Sequence, residues 1–215
     1  LSGQSDRAFA THRGAVAVAG LSDADIERAR EVGARGGHVH IAGYYNMPAV
    51  RARVGELFRA VKEAGGTSSL NPQWDADERW DGICELSVAG GTAPGVLICS
   101  QTEAENLAGR EDPSVQDPLH LLNAGSTRCV VTTHGARGAI VWGLENEQVE
   151  SNAPTLAPGA LVDATGAGDA FAAGFLTAFA RDPPGVVNLS IALRMGCAYG
   201  AACCGVVGAS AALDP

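Results

Sequence analysis

The chain predicts an α/β fold built on a mostly parallel sheet, and three observations carry that reading. A strand, a helix and a second strand follow one another between His38 and Leu70 at the spacing of a βαβ unit, which implies a parallel pair and a right-handed crossover. Two more short apolar runs, Val96–Cys99 and Cys129–Thr133, have the length of buried strands. The composition agrees, since 215 residues with 46% hydrophobic, 5% aromatic and 28 glycines suit one domain, residues 1–215, with a sizeable core.

At the start, Leu1 is not a methionine and Arg7–Gly14 reads as strand residues already under way, so the chain is expected to lack its true beginning. Ala15–Leu21 reads as a short strand. Ser22 to Asp25 has the spacing of a helix-opening cap ahead of Ile26, Ala29 and Val32, which predicts a short helix. His38–Tyr45 follows as a buried strand. His38 and His40 share one of its faces, and with no third ligand nearby they read as packed, hydrogen-bonded histidines rather than a metal pair. Pro48 suits the first turn of an amphipathic helix whose buried face carries Val50, Val54, Leu57, Phe58 and Val61, and Gly65-Gly66 ends it. Thr67–Leu70 is the next strand and leads into Asn71–Asp75. From Asp75 to Gly95 the chain is polar and then glycine-rich, with Trp74 and Trp80 as packing anchors of a loop or short helix.

Val96–Cys99 delivers Ser100–Leu107 at its carboxyl end, the edge where open parallel sheets place ligands. On local grounds alone, Ser100 or Thr102 caps a helix and Glu103 enriches its first turn. After a loop with Pro113 and Pro118, Cys129–Thr133 and Ala139–Trp142 read as two strands joined by the hairpin-like turn His134-Gly135-Ala136-Arg137-Gly138. The rest is organised around Asp163-Ala164-Thr165-Gly166-Ala167-Gly168-Asp169-Ala170-Phe171. Phe171, Phe175 and Phe179 recur at helical spacing, so this is a glycine loop feeding a helix. Open amides and the positive end of the dipole make such a junction suit an anion. A carboxylate there, Asp169, makes sense as a base for a hydroxyl attacking bound phosphate; the plainer alternative is a tight turn that Asp169 caps. A second apolar helix, Val187–Cys204, ends in Gly205–Ala209.

A formal charge of −9, from 15 basic and 24 acidic residues with no basic stripe, argues against nucleic acid or an anionic membrane as partner. No apolar run reaches the roughly 18 residues of a spanning helix and no leader pattern opens the chain, so a soluble, cytoplasmic protein is expected. The six cysteines form no C-x-x-C pair and read as reduced, buried thiols. A P-loop is absent, Phe171 stands where a dinucleotide loop needs its third glycine, and G-x-S-x-G does not occur.

The run from Asp163 to Phe171, with Ala173-Gly174-Phe175 behind it, resembles the C-terminal signature of the ribokinase-like (PfkB-type) carbohydrate kinases, and the resemblance covers about Arg7 to Ala209. It implies a three-layer α/β/α sandwich lacking its N-terminal strands and lid. It also implies ATP-dependent phosphorylation of a sugar or sugar-acid hydroxyl, with magnesium and, in many members, potassium. Asp169 would then be the base, and the amides of Gly166, Ala167 and Gly168 the anion hole. Glu103 in Thr102-Glu103-Ala104-Glu105 matches the glutamate of an Asn-x-x-Glu motif that organises magnesium, here through water, with Ser100 in place of the asparagine. Thr133, Gly135, Arg137 and Gly138 match a Thr-x-Gly-x-x-Gly segment that lines the nucleotide site. Gly196 stands on the adenine side where some members have asparagine, and Asp163 is the candidate ligand of a monovalent cation.

The family's Gly-Gly sugar contact and lid strands are not found before Arg7, which leaves the acceptor largely unreadable; Leu70–Asp75 resembles the family's sugar kinases more than its nucleoside kinases. A homodimer is the expectation for the full-length protein. Two alternatives stand beside this reading. A nucleoside (adenosine-type) kinase would share every nucleotide-site residue, and a truncated, non-catalytic nucleotide-binding relic would account for Ser100, Gly196 and the missing start.

Overall fold

Six short strands hydrogen-bond into one sheet in the order of the chain. In this computed structural model, which describes residues 12, 14–88, 92–108, 127, 129–143, 148–181 and 188–209, the strands are β1 (His38–Ala42), β2 (Thr67–Asn71), β3 (Val96–Ser100), β4 (Cys129–Thr133), β5 (Ala139–Gly143) and β6 (Gln148–Ser151). The first four are parallel; β5 and β6 continue the sheet antiparallel. Most of Arg7–Gly14 (residues 7–11 and 13), the loop with Pro113 and Pro118, and Val187 lie outside the described residues, as does the side chain of Cys84.

The helices are α1 (Asp23–Ala34), α2 (Pro48–Arg51), α3 (Val54–Glu63), α4 (Ile83–Val88), α5 (Gln101–Ala108), α6 (Ala167–Phe179) and α7 (Leu189–Cys203). Alternation along the strands divides them between two cores. Leu97, Cys99 and Val130 join Ile26 of α1 and Val54, Leu57, Phe58 and Val61 of α3. Val96, Ile98, Cys129 and Val131 join Phe171, Phe175 and Phe179 of α6 and Leu193 of α7. The fold is therefore a three-layer α/β/α sandwich, and burial on both faces is why β3 and β4 read as continuous apolar runs.

Several elements start where local chemistry says they should. Ser22 Oγ accepts the Asp25 N–H at 3.2 Å while the Asp25 carboxylate accepts the Ser22 N–H at 3.0 Å, closing the capping box of α1. Pro48 opens α2. His38 and His40 are hydrogen-bonded to hydroxyls of β2, as read. The described cysteines are free thiols, four of them buried. Among the described residues no helix is long and apolar enough to cross a membrane.

Other expectations change. Ala15–Leu21 is no strand: Gly14–Ala17 is a 3₁₀ turn whose end folds back, with the N–H groups of Val18 and Ala19 on the Ala15 carbonyl. β1 stops at Ala42 because Gly43 turns left-handed at φ 78°, which folds Tyr44 and Tyr45 into a buried 3₁₀ turn. The helix after Pro48 is two pieces, since Arg53 leaves helical geometry and sends its guanidinium to Leu21 O and Glu56. Of the two tryptophans only Trp80 is buried; Trp74 leans edge-on against it, 49% exposed. The polar stretch holds α4, and Asp75 organises its approach by accepting the N–H groups of Asp77, Arg79 and Trp80. β6 was not anticipated.

Candidate active site

Because β1 to β4 are parallel, Ala42, Asn71, Ser100 and Thr133 end along one edge, and Ser100 and Thr133 are direct neighbours in the register. α6 runs back across this sheet. Phe179, at its end, touches the His38 ring at the start of β1, while Asp169, at its beginning, is the charge acting on His40 further along the strand. The start of α6 thus faces the carboxyl edge, where a parallel sheet leaves room for a ligand.

That helix start is built to be open. Gly166 is its N-cap with φ 79°, and no side chain caps it. A β-carbon on Gly166 would sit 2.7 Å from both Cα and Cβ of Ala209, so the close approach of the two loops requires glycine. Asp163 fastens the same loops together. One of its oxygens accepts the Thr165 N–H at 2.9 Å and the other the Gly208 N–H at 3.0 Å. The Cys203 thiol adds contacts to the carbonyls of Thr165 and Ala209. Of the three amides expected to face an anion, that of Ala167 donates to Ala164 O at 3.2 Å. Among the described residues nothing accepts from the N–H groups of Gly166, Gly168 or Asp169, and no hydrogen bond engages the exposed Asp169 carboxylate.

The start of α5 is closed instead. Ser100 Oγ accepts the Glu103 N–H at 3.2 Å, and the Glu103 carboxylate accepts the Ser100 N–H at 2.7 Å. Burial pushes the Glu103 carboxyl above its ordinary range, against the opposing hydrogen bonds from Ser100. Next to it, the β4–β5 turn is tied to α5 by Gln101, whose Oε1 lies 2.9 Å from His134 Nδ1 and accepts from Arg137 at 2.6 Å. Gly135 and Gly138 both take positive φ there, and Thr133 stands half-buried at the strand end. Gly196 lies elsewhere, buried between α6 and α7, where a β-carbon would meet the Phe171 ring at 2.8 Å. Among the described residues no group of three or more His, Cys, Asp or Glu side chains forms a metal cage.

Gln101 and His134 were not foreseen as site residues. Both lie inside the segments that drew attention, but their partnership spans 33 residues and leaves no local signal.

The family model for pfkB family carbohydrate kinases matches residues 1–215. The chain belongs to that family. Among curated relatives, it is 30% identical to a fructokinase of Vibrio alginolyticus over 146 residues, 67% of this chain and 45% of that enzyme. It is 35% identical to a cytidine kinase of Thermococcus kodakarensis over 89 residues, 41% of this chain and 31% of that one. The chain thus spans less than half the length of either. Among solved structures, a Vibrio cholerae fructokinase with fructose, ADP and calcium bound superposes with a TM-score of 0.66 at 26% identity, over 83% of this chain and 57% of that one.

Proposed function

We propose that the protein transfers the terminal phosphate of ATP to a sugar hydroxyl. The observation that carries this reading is the start of α6, where open amides and an unengaged carboxylate share one helical turn at the carboxyl edge of the sheet. The amides of Gly166 and Gly168, with that of Asp169, face the transferring phosphoryl group and absorb charge growing on its oxygens. Asp169 takes the proton of the attacking hydroxyl. Thr133, Gly135, Arg137 and Gly138 hold the nucleotide, with Gln101 steadying Arg137. Gly196 contributes through packing, by letting α7 approach Phe171.

Magnesium, when bound, neutralises phosphate charge. One half-buried carboxylate and a neighbouring hydroxyl, Glu103 and Ser100, fit an ion that keeps several waters and takes its other ligands from phosphate oxygens. Asp163 would present its charge to a monovalent cation while it ties the two loops.

The fructokinase relatives, one of them named with fructose and ADP bound, favour a sugar acceptor. The cytidine kinase relative favours a nucleoside as the second reading. ADP release measured with ATP against fructose, ribose, cytidine and adenosine separates them. Sugar-dependent release supports the first, nucleoside-dependent release the second, and release with none of the acceptors tested would overturn both.

A further inference from the structure

One titratable ring at the carboxyl edge of the sheet has no part in that mechanism. His134 stands at the end of β4 with both nitrogens engaged: Nε2 lies 2.9 Å from Thr132 Oγ1, and Nδ1 lies 2.9 Å from Gln101 Oε1. Gln101 accepts on that same oxygen from Arg137 at 2.6 Å, and its Nε2 donates to Glu105 at 2.7 Å.

The protons of this network follow from its chemistry. A guanidinium has no acceptor, so the Gln101 atom that meets Arg137 is the amide oxygen, and the Glu105 carboxylate takes the amide nitrogen. An oxygen facing His134 Nδ1 makes that nitrogen the donor. The neutral ring then has a bare Nε2, which accepts from the hydroxyl of Thr132, a side chain only 3% exposed. Burial, with the Arg137 charge, holds the ring toward that neutral form against Glu105 of α5 and Glu150 of β6.

The backbone of the turn is closed in its own right, with the His134 N–H on Gly138 O at 2.8 Å and the Arg137 N–H on His134 O at 3.2 Å. It fixes where Arg137 starts. Where the exposed guanidinium points is set by Gln101, since among the described residues Arg137 makes no other side-chain hydrogen bond and no ion pair. Turned over, the Gln101 amide would set its nitrogen against two donors and its oxygen against a carboxylate. His134 is its tie to the sheet, through the buried Thr132. Without the ring, the tie left besides Arg137 is Glu105, four residues on along an exposed face of the same helix.

We propose that His134 is a positioning residue for the nucleotide site: its Nδ1–H holds Gln101 so that the amide oxygen faces Arg137 and the remaining guanidinium donors face phosphate. This role rests on the reading of Arg137 as a contact of the bound nucleotide.

Nitrogen NMR of the wild-type ring reads the tautomer, expected with Nδ1 protonated and Nε2 bare; the reverse overturns the proposal. ATP affinity is then measured by calorimetry. His134→Leu should weaken it roughly 2- to 10-fold, the weight of one hydrogen bond. His134→Asn, whose amide nitrogen stands where Nδ1 does, should stay near the wild type. In an Arg137→Ala background His134→Leu should have no further effect, because the ring acts through the guanidinium. Wild-type affinity in His134→Leu, or losses that add in the double variant, would overturn the proposal and leave Arg137 in its role. Wild-type affinity in Arg137→Ala, or no binding of ATP to the wild type, would remove the nucleotide contact and the proposal together.

Discussion

The starts of α5 and α6 carry the same kind of residue at the same place and use it in opposite ways. Both have an acid at the third helical position, Glu103 and Asp169. In α5 the residue before the helix is Ser100, and the two close a capping box that engages acid and amide together. In α6 it is Gly166, which has no side chain to offer and stands in a left-handed conformation, so amides and carboxylate remain open. The acids at this position in α1 and α3 follow α5. Asp25 is engaged by Ser22, and Glu56 of α3 by the Arg53 guanidinium at 2.8 and 2.9 Å. In α1, α3 and α5 the acid is thus engaged, whereas in α6 the residue at the cap leaves it open.

The sharpest way to break the comparison is to neutralise the open acid. Asp169→Asn should lower turnover on the order of 10²- to 10⁴-fold, the usual contribution of a positioned base. ATP affinity, followed by calorimetry, should hold. Asp25→Asn provides the contrast, with full turnover and a loss confined to the α1 cap, about 1 kcal/mol. Asp169→Asn with near wild-type kcat would mean that openness at α6 serves something other than proton transfer.

The histidine pair of β1 belongs with the engaged groups, and pH exposes it. The folded state holds His38 neutral down to about 4, below its ordinary 6.5, so between those values the unfolded chain binds the extra proton. Stability is therefore present above pH 6.5 and falls as pH drops toward 4, by on the order of 3 kcal/mol for this one ring. Denaturant unfolding of the wild type and His38→Gln across that window should show a steeper slope in the wild type. Parallel slopes would mean that the ring is not held neutral by burial.

A third variant asks whether α6 can be converted into a copy of α5. Gly166→Ser places the capping residue where α5 has it, yet the left-handed backbone keeps its hydroxyl from the cap geometry, and its β-carbon enters the space of Ala209. The expected result is a loss of about 1–2 kcal/mol for the conformation alone, with the steric contact adding to it. A variant more stable than the wild type would show that openness at α6 is a choice of side chain and not of backbone.

What could be read beforehand followed from range. The strands β1 to β4, the turn between β4 and β5, and the glycine loop before α6 are written in contiguous residues whose alternation or spacing is their own signal. β6 was missed because Gln148–Ser151 is a short, polar edge strand whose partner, not its pattern, makes it a strand. β1 was read too long because Tyr44 and Tyr45 look like strand residues until the turn at Gly43 is known. In the site, Asp169 and its loop were legible as a unit. The link of Gln101 to His134 and the approach of Ala209 to Gly166 depend on the fold bringing distant residues together. For Ser100 and Glu103 the cap is what the hydrogen bonds form, and that capping box also fixes where the carboxylate stands.

That last point yields the smallest effect and the finest test. Ser100→Ala removes the hydroxyl that accepts the Glu103 N–H and should cost about 1 kcal/mol. Ser100→Asn keeps a side-chain oxygen within reach of the same amide, so its stability should stay within a few tenths of a kcal/mol of the wild type. Thermal melts of the three proteins decide the matter. If alanine is tolerated as well as asparagine, the box does not hold Glu103, and α5 would then differ from α6 in sequence but not in the freedom of its acid.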